Sequence, residues 1–415
     1  MTEFNVANAA WFQKPGTQAV FACLNREGFE ARAVGGAVRN ALLGEPVKEV
    51  DFATTARPKD TLRLAAEAGI RTVPTGLSHG TVTLIVHDEP FEVTTLRRDA
   101  ETDGRHATVV FSEDWADDAK RRDFTMNALY AGSGGKVYDP LGGAPDLLAR
   151  RVRFVGDART RIREDYLRIL RFFRFSGQYA SGPFDAGGIG ASIAERSGLR
   201  RLSRERIRSE LLQILAARRA GEAIDIMDES GLLGLILGGV ARRERFKRLC
   251  SIEAALNLPP DPVLRLAALG VFVEEDAARL SEKLRLSSQE AAALRSFAAM
   301  RAFEKPRTDE LKAALYKLGP RLYLGHVLLA WASAGASPDN AAWLAAAGLA
   351  RVWRPPEFPA GGADLIARGW KPGPALGERL KRLEQQWIAS GFKLSREDLL
   401  RLADDTDRGK TPGQH

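Results

Sequence analysis

The alternation of apolar and polar positions divides the chain into a mixed first part and a helical remainder. Ala31-Arg32-Ala33-Val34 reads as a short strand running into Gly35-Gly36. Ala37 to Leu43 follows as one or two helical turns, closed by Gly44, since glycine most easily takes the left-handed conformation that ends a helix. Val47 to Ala53 alternates as a strand, and Pro58 to Ala68 has helical spacing with Gly69 as its stop. Gly80 to Val86 and Phe91 to Leu96 are rich in β-branched residues and predict a hairpin around His87-Asp88-Glu89-Pro90. The polar stretch Arg97–Ala107 is expected to be a mobile loop. From Arg161 onward the spacing is helical. Ser203 is placed to cap a helix over Arg204–Arg219, with Ile207, Leu211, Ile214 and Leu215 on one face. The rest is Ala- and Leu-rich helix punctuated by Pro259-Pro260, Pro320, Pro355-Pro356 and Pro372-Gly373-Pro374. There is no fixed-period repeat and no low-complexity tract, and residues after about Asp404 are expected to be disordered.

Composition narrows the class. A chain of 415 residues exceeds one core, so two to four domains are expected. The two cysteines, Cys23 and Cys250, and five histidines exclude a disulfide scaffold, a cysteine-rich zinc site and a histidine-built metal cage. The N-terminus lacks a basic segment followed by an apolar one, and the most apolar stretch, Leu322 to Ala336, is too short to span a bilayer. A cytoplasmic protein with no membrane partner is expected. Charge is unevenly placed. Residues 1–150 carry 17 Lys and Arg against 21 Asp and Glu, whereas residues 151–250 carry 21 against 12. A basic, arginine-dominated segment fits a polyanion partner or a solvated helix face, and charge alone does not separate the two.

Four elements carry candidate chemistry. Gly35, Gly36 and Arg39 stand where paired glycines let backbone N–H groups approach a phosphate, although such a pair can also be a plain tight turn. Glu49 and Asp51, two apart on the expected strand, project to one side and could share divalent metal; a solvated strand edge is the bland alternative. Glu92, on the neighbouring strand, could join them or pair with Arg97 or Arg98. In Arg121-Arg122-Asp123-Phe124-Thr125-Met126-Asn127, the arginines can hold triphosphate oxygens and Asp123 and Asn127 ribose hydroxyls, or Asp123 simply caps a charged helix start. Last, Asp165 and Arg168 are expected as neighbours on one helix, an acceptor beside a planar donor fork, enough to bond the edge of a base. Arg171 and Arg174 continue at three-residue steps. An intrahelical ladder of ion pairs is expected there over a core of Ile169, Leu170, Phe172 and Phe173.

Taken in order, the glycine pair, the acidic pair, the strand Val93-Thr94-Thr95-Leu96-Arg97, the segment from Arg121 to Leu129 and that from Glu164 to Phe175 resemble one family. That family is the class II nucleotidyltransferases, which comprises bacterial CCA-adding tRNA nucleotidyltransferases and their poly(A) polymerase relatives. The resemblance is firm over about residues 31–215, and Gly362–Gly369 with Pro372–Gly377 looks like the helical tail of bacterial members. It implies an α+β, polymerase-beta-like palm in a nucleotidyltransferase head over residues 1–155. An all-α, nucleotide-selecting neck would follow at 156–240, and a tRNA-binding helical body and tail at 241–415.

By the same resemblance, Gly35, Gly36 and Arg39 fall where the family holds the triphosphate, and Glu49 and Asp51 on its two metal-binding carboxylates for a two-magnesium site. Arg121, Arg122, Asp123 and Asn127 match the segment contacting sugar and phosphates. Glu164, Asp165 and Arg168 match the amino-acid template that selects CTP or ATP, and Arg171 and Arg174 further nucleotide-side arginines. The implied reaction is CCA addition to tRNA with pyrophosphate release, with CTP and ATP as substrates and no obligate protein partner. Glu49 stands where the family usually has Asp, and Asn40 where Asp is common. The stretch Val73–Val82 looks like CCA-adding members rather than poly(A) polymerases. A full-length loop from Leu96 to Phe111, with Arg97, Arg98, Asp99 and Arg105, argues against a CC-only enzyme. A poly(A) polymerase, a CC-adding enzyme or a catalytically silent RNA-binding relative are the alternatives. His87-Asp88, in a hairpin turn, predicts no histidine–aspartate phosphohydrolase.

Overall fold

The computed structural model describes residues 4–99, 109–299 and 307–405, in two compact units, residues 1–236 and 237–415. The first unit is built on strands β1 (Ala31–Val34), β2 (Asp51–Thr54), β3 (Arg71–Gly76), β4 (Thr81–Val86), β5 (Glu89–Thr95), β6 (Arg97–Asp99), β7 (Val109–Phe111), β8 (Tyr130–Ala131) and β9 (Val137–Tyr138). A mixed sheet runs in the order β3-β4-β5-β2-β1-β8-β9. Its β2–β5 pairing is parallel and the others are antiparallel. Helices α1 (Pro15–Leu24), α2 (Gly36–Leu43), α3 (Pro58–Glu67), α4 (Trp115–Lys120) and α5 (Ala144–Leu148) accompany the sheet in the chain. The expected strand Ala31–Val34 forms, and Gly44 ends α2 at φ 70°.

Three boundaries differ from expectation for identifiable reasons. The strand expected from Val47 begins only at Asp51, because β1 ends at Val34, the partner of Asp51, and Pro46 lies upstream. The hairpin turn is two residues, not four. Val86 pairs directly with Glu89, and His87 and Asp88 both take positive φ, 50° and 62°. That matches the twist of the flanking strands. The polar stretch after Leu96 opens as a strand, since Arg97–Asp99 pairs with Val109–Phe111. Its remainder, Ala100–Ala107 with Arg105, lies outside the described residues, as do the residues after Asp405.

The first unit continues in helices α6 (Ala158–Glu164), α7 (Leu167–Tyr179), α8 (Ala186–Ala194), α9 (Arg204–Ala216), α10 (Ala220–Glu229) and α11 (Leu232–Leu237), the last crossing into the second unit. Ser203 caps α9, accepting from the Arg206 N–H, and Leu211, Ile214 and Leu215 are buried; the helix stops at Ala216 rather than Arg219. Along α7, Ile169, Leu170, Phe172 and Phe173 are fully buried, as their spacing requires, and Phe172 packs on Phe154 and Phe173. The second unit is helical, with α12 (Arg243–Ala255), α13 (Pro262–Gly270), α14 (Glu274–Leu284), α15 (Ser288–Ala298), α16 (Thr308–Ala334), α17 (Ala341–Val352), α18 (Gly362–Ile366), α19 (Pro374–Ala389) and α20 (Arg396–Asp405). α16 is two helical segments joined at a kink: Gly319, at φ 72° and ψ 168°, is non-helical, and Pro320 follows it directly. The apolar stretch from Leu322 lies in this helix, and no described helix is long and apolar enough to cross a membrane.

Candidate nucleotide site

The β1–α2 turn sets one wall. Gly35 sits at φ 68°, a conformation glycine takes without strain, and Arg122 Nη1 lies at ordinary contact distance, 3.6 Å, from where a Cβ would stand. Its own N–H donates to the Leu129 carbonyl at 3.3 Å. Arg39, one turn into α2, is buried, and its donors meet protein acceptors: Asn127 Oδ1 at 2.6 Å, Asn40 Oδ1 at 2.8 Å and Tyr179 Oη at 2.7 Å. Burial holds its pKa below the ordinary guanidinium value. Among the described residues no carboxylate forms an ion pair with this guanidinium, so it leaves positive potential at the turn.

The acidic side faces it. Asp51 opens β2 opposite Val34, and Glu49 lies two residues earlier, exposed and outside the strand. Phe52 pairs with Val93 on β5, so Asp51 and Glu92 lie side by side in register. Burial, then the charges of Glu49 and Glu92, push the Asp51 carboxyl up to about 6, against the opposing pull of Arg122. Among the described residues no group of three or more His, Cys, Asp or Glu is gathered tightly enough to hold a metal ion alone. Carboxylates that raise one another's pKa, as Glu49 and Glu92 do that of Asp51, are nevertheless the oxygen-donor chemistry that suits magnesium completed by phosphate oxygens, and these residues fit such an ion.

Asp118, which the sequence reading passed over, organises the arginine pair. Its carboxylate, with no exposure, accepts from Arg121 at 2.6 Å, Arg122 at 2.9 Å and Tyr130 Oη at 2.8 Å. Burial alone would raise its pKa; Arg122 and Arg121 outweigh that and hold it below the usual range. With Nε and Nη2 used this way, Arg122 Nη1 is left beside Gly35. Asp118 lies on α4, four residues before Arg122, and that i,i+4 spacing is the signal that could have found it.

Asp123 does not cap a helix. Phe124 stands at the N-cap of the single turn Thr125–Asn127. Asp123 Oδ1 accepts from the Phe124 N–H and from Asn127 Nδ2 at 3.0 Å, and Oδ2 accepts from Arg171 at 2.6 and 2.8 Å. Burial opposes ionisation, yet Arg171 and Asn127 keep this carboxyl below its ordinary value. Arg174 turns to Glu210 on α9, at 2.7 Å. One hydrogen-bonded run thus extends from Tyr179 through Arg39, Asn127 and Asp123 to Arg171, with Glu210 holding Arg174 beyond it.

The expected ladder on one helix is replaced by cross-element bonds. Asp165 sits in the break between α6 and α7, at φ −150°, so it is not on a helix with Arg168. Its Oδ1 accepts from the Leu167 N–H at the start of α7, and Oδ2 accepts from Arg206 on α9 at 2.7 Å. Arg168 pairs with Glu164 and donates to the Arg161 and Arg121 carbonyls. Arg161, also unanticipated, is buried and donates to the carbonyls of Arg121 and Arg122 and to Glu164. The segment from Arg161 to Arg168 is therefore stitched to the backbone of the arginine pair.

A cavity of about 640 Å³ opens on this assembly, lined by Gly36, Arg39, Glu49, Arg174 and Tyr179. A larger one, about 790 Å³, holds none of the expected site residues, and its Arg153 and Arg159 are already paired with Asp146 and Glu195.

Comparison with known proteins agrees in kind. The family model described as "Poly A polymerase head domain" matches residues 31–153, and that described as "Probable RNA and SrmB- binding site of polymerase A" matches residues 191–242. The mitochondrial CCA tRNA nucleotidyltransferase 1 of Mus musculus is 36% identical over 93% of this chain and 89% of its own length. The CCA-adding enzyme of Geobacillus thermodenitrificans is 39% identical over 54% of this chain and 55% of its own. Among solved structures, the Bacillus stearothermophilus CCA-adding enzyme in complex with CTP aligns with a TM-score of 0.74 at 26% identity, covering 95% of this chain and 98% of that one.

Proposed function

The chain belongs to the family of CCA-adding tRNA nucleotidyltransferases, and from that premise we propose that it builds the terminal CCA of tRNA from CTP and ATP. The terminal 3′-oxygen forms a bond to the α-phosphorus, the bond to the β-phosphate oxygen breaks, pyrophosphate leaves, and the hydroxyl proton passes to solvent. The observation that carries this reading is the hydrogen-bonded run from Tyr179 and Arg39 through Asn127 and Asp123 to Arg171, with Glu49 lining the same cavity as Gly36 and Arg39, and Arg168 bonded to the Arg121 carbonyl next to Arg122.

Each group has work suited to its position. Arg122 Nη1, beside Gly35, is free to donate to a triphosphate oxygen, while Asp118 fixes the rest of that fork. Arg39 adds positive potential from beneath and keeps Asn127 oriented. Asp123 and Asn127, rigid and buried, present a polar edge to a ribose, and Arg171 and Arg174 extend the cationic wall. Asp165 and Arg168 read the base edge, an acceptor beside a donor fork, and Glu164 sets the rotamer of Arg168. Positioning and electrostatics account for most of the acceleration in such a site. A divalent cation held by Glu49 and Asp51, magnesium by its oxygen ligands, would acidify the attacking hydroxyl and neutralise charge on the leaving pyrophosphate. Residues 1–155 serve as the nucleotidyltransferase head, 156–240 as the nucleotide-selecting neck and 241–415 as the tRNA-gripping body and tail; residence in the cytoplasm belongs to the same proposal.

The test is extension of labelled tRNA ending just before CCA, with CTP alone, ATP alone and both, with and without EDTA. Two additions with CTP and a stop at three with both, abolished by EDTA, is the expected result. Long ladders with ATP alone would mean a poly(A) polymerase, a stop at two a CC-adding enzyme, and no extension an RNA-binding relative without catalysis.

A further inference from the structure

The first turns of α12 gather arginines that the nucleotide site does not use. Arg242, Arg243, Arg245 and Arg248 line one cavity of about 410 Å³ with Ser333 of α16. They are not equivalent. Arg245 donates to the carbonyls of Ala267, Ala268 and Val271 at the end of α13, so it forms a fixed floor. Burial, and after it the neighbouring Arg242, bring its pKa down to about 10. The Arg242 guanidinium carbon lies over the Phe272 ring, 3.7 Å from its centre, and Arg248 rests against Gly335 at the end of α16. Among the described residues neither Arg242 nor Arg248 makes an ion pair. The one acidic residue lining the cavity, Glu244, is paired with Lys247 at 3.3 Å.

Like charges held this close are unfavourable unless an anion joins them. No side chain caps the N-terminus of α12, a helix of 13 residues, so its first N–H groups add to the same potential. The stack on Phe272 matters as well. A guanidinium fixed by one face keeps its N–H edge for in-plane bonds to phosphate oxygens, and offers its other face to a flat ring. Phe272, Val273 and Val240 are 43%, 55% and 78% exposed. A phosphate cradle with a stacking plane and apolar surface matches a sugar-phosphate backbone better than a free inorganic anion.

We propose that Arg242 and Arg248, braced by Arg245 and Phe272, form a clamp for the phosphodiester backbone of RNA in the second unit. The proposal rests on the reading of tRNA as substrate, and names the side chains by which this unit holds it. Arg242→Ala and Arg248→Ala in the full chain test it, with exposed Arg351→Ala as a control. Binding of tRNA lacking CCA is titrated across salt concentrations, and extension is measured at saturating tRNA. Each clamp variant is expected to weaken binding about tenfold at moderate salt and to lower the slope of log affinity against log salt by roughly one, with the saturated rate and the control unchanged. Arg242→Lys should restore the slope but not the full affinity, because charge returns without the stack. Slopes equal to wild type in both Ala variants would overturn the clamp while leaving tRNA as substrate. Absence of binding and extension in the wild type would instead overturn the functional reading beneath it.

Discussion

Asp118→Asn removes one charge and almost no volume, and the structure sets how much it should matter. The carboxylate is fully buried, while the Arg121 and Arg122 side chains are 16% and 17% exposed. Breaking a buried ion pair by removing one partner costs about 3–5 kcal/mol, because the other charge remains desolvated. Asparagine also turns an amide donor toward two donor forks. For a folding unit of this size, about 2–4 °C of melting temperature accompanies each kcal/mol, so a fall of roughly 6–20 °C is expected at pH 7.5. The sign with pH follows from the depressed folded-state pKa. The charged form stabilises above the unfolded-state value near 4, and that contribution is lost as pH falls from there through the folded value. The gap between wild type and variant should therefore narrow below about pH 4. Calorimetry of the first unit's transition across pH, with KM for CTP measured in parallel, is the assay. A shift under about 2 °C at pH 7.5 with unchanged KM would refute the argument, since it would mean that the two arginines stand without their buried partner.

Arg206→Ala releases the second oxygen of Asp165; discrimination among the four nucleoside triphosphates, as ratios of kcat/KM, should relax about tenfold or more, and unchanged ratios would remove Arg206 from base selection. Gly198→Ala places a Cβ 1.9 Å from the Tyr166 ring. Stability should fall by at least the ~1–3 kcal/mol of an overpacked core, read as a lowered melting temperature, and Tyr166→Ala should recover part of it. His326, buried against Phe297 with Ser296 at 3.1 Å, has its pKa lowered by burial. Its neutral form stabilises above the unfolded value near 6.5, and stability is lost as pH falls below that. His326→Gln should flatten the second unit's melting between pH 6.5 and 5, and an unaltered profile would clear the histidine.

Local signals were legible wherever the cause was local. The run Ala31–Val34 before two glycines, Gly44 at the end of α2 and Ser203 at the start of α9 each owe their conformation to their own side chains or neighbours. The family resemblance was legible because it depends on order along the chain. What escaped depends on partners distant in sequence. Asp165 has the spacing of a helical neighbour of Arg168, yet its two oxygens are claimed by the start of α7 and by Arg206, 41 residues on, and the helix breaks there. Arg161 reads as one more surface arginine until the carbonyls of Arg121 and Arg122 arrive beneath it. The strand Arg71–Gly76 escaped because Pro74 and the shift of register after Val73 disguise an edge strand.

The long reach of these bonds has a consequence for how the molecule is made. Arg39 is bonded to residues 88 and 140 positions later, and Arg174 to one 36 positions later still in the growing chain. A ribosome releases the glycine turn first, then the carboxylates, then the arginines, and Arg39 and Arg174 wait for partners not yet synthesised. The β4–β5 hairpin can close at once around its two-residue turn, but the pocket cannot. Assembly is complete only when Glu210 has emerged to hold Arg174. A nascent chain cut short before that point carries every residue of the glycine turn, the acidic pair and the arginine pair, and lacks the last link, the one that holds Arg174 in place.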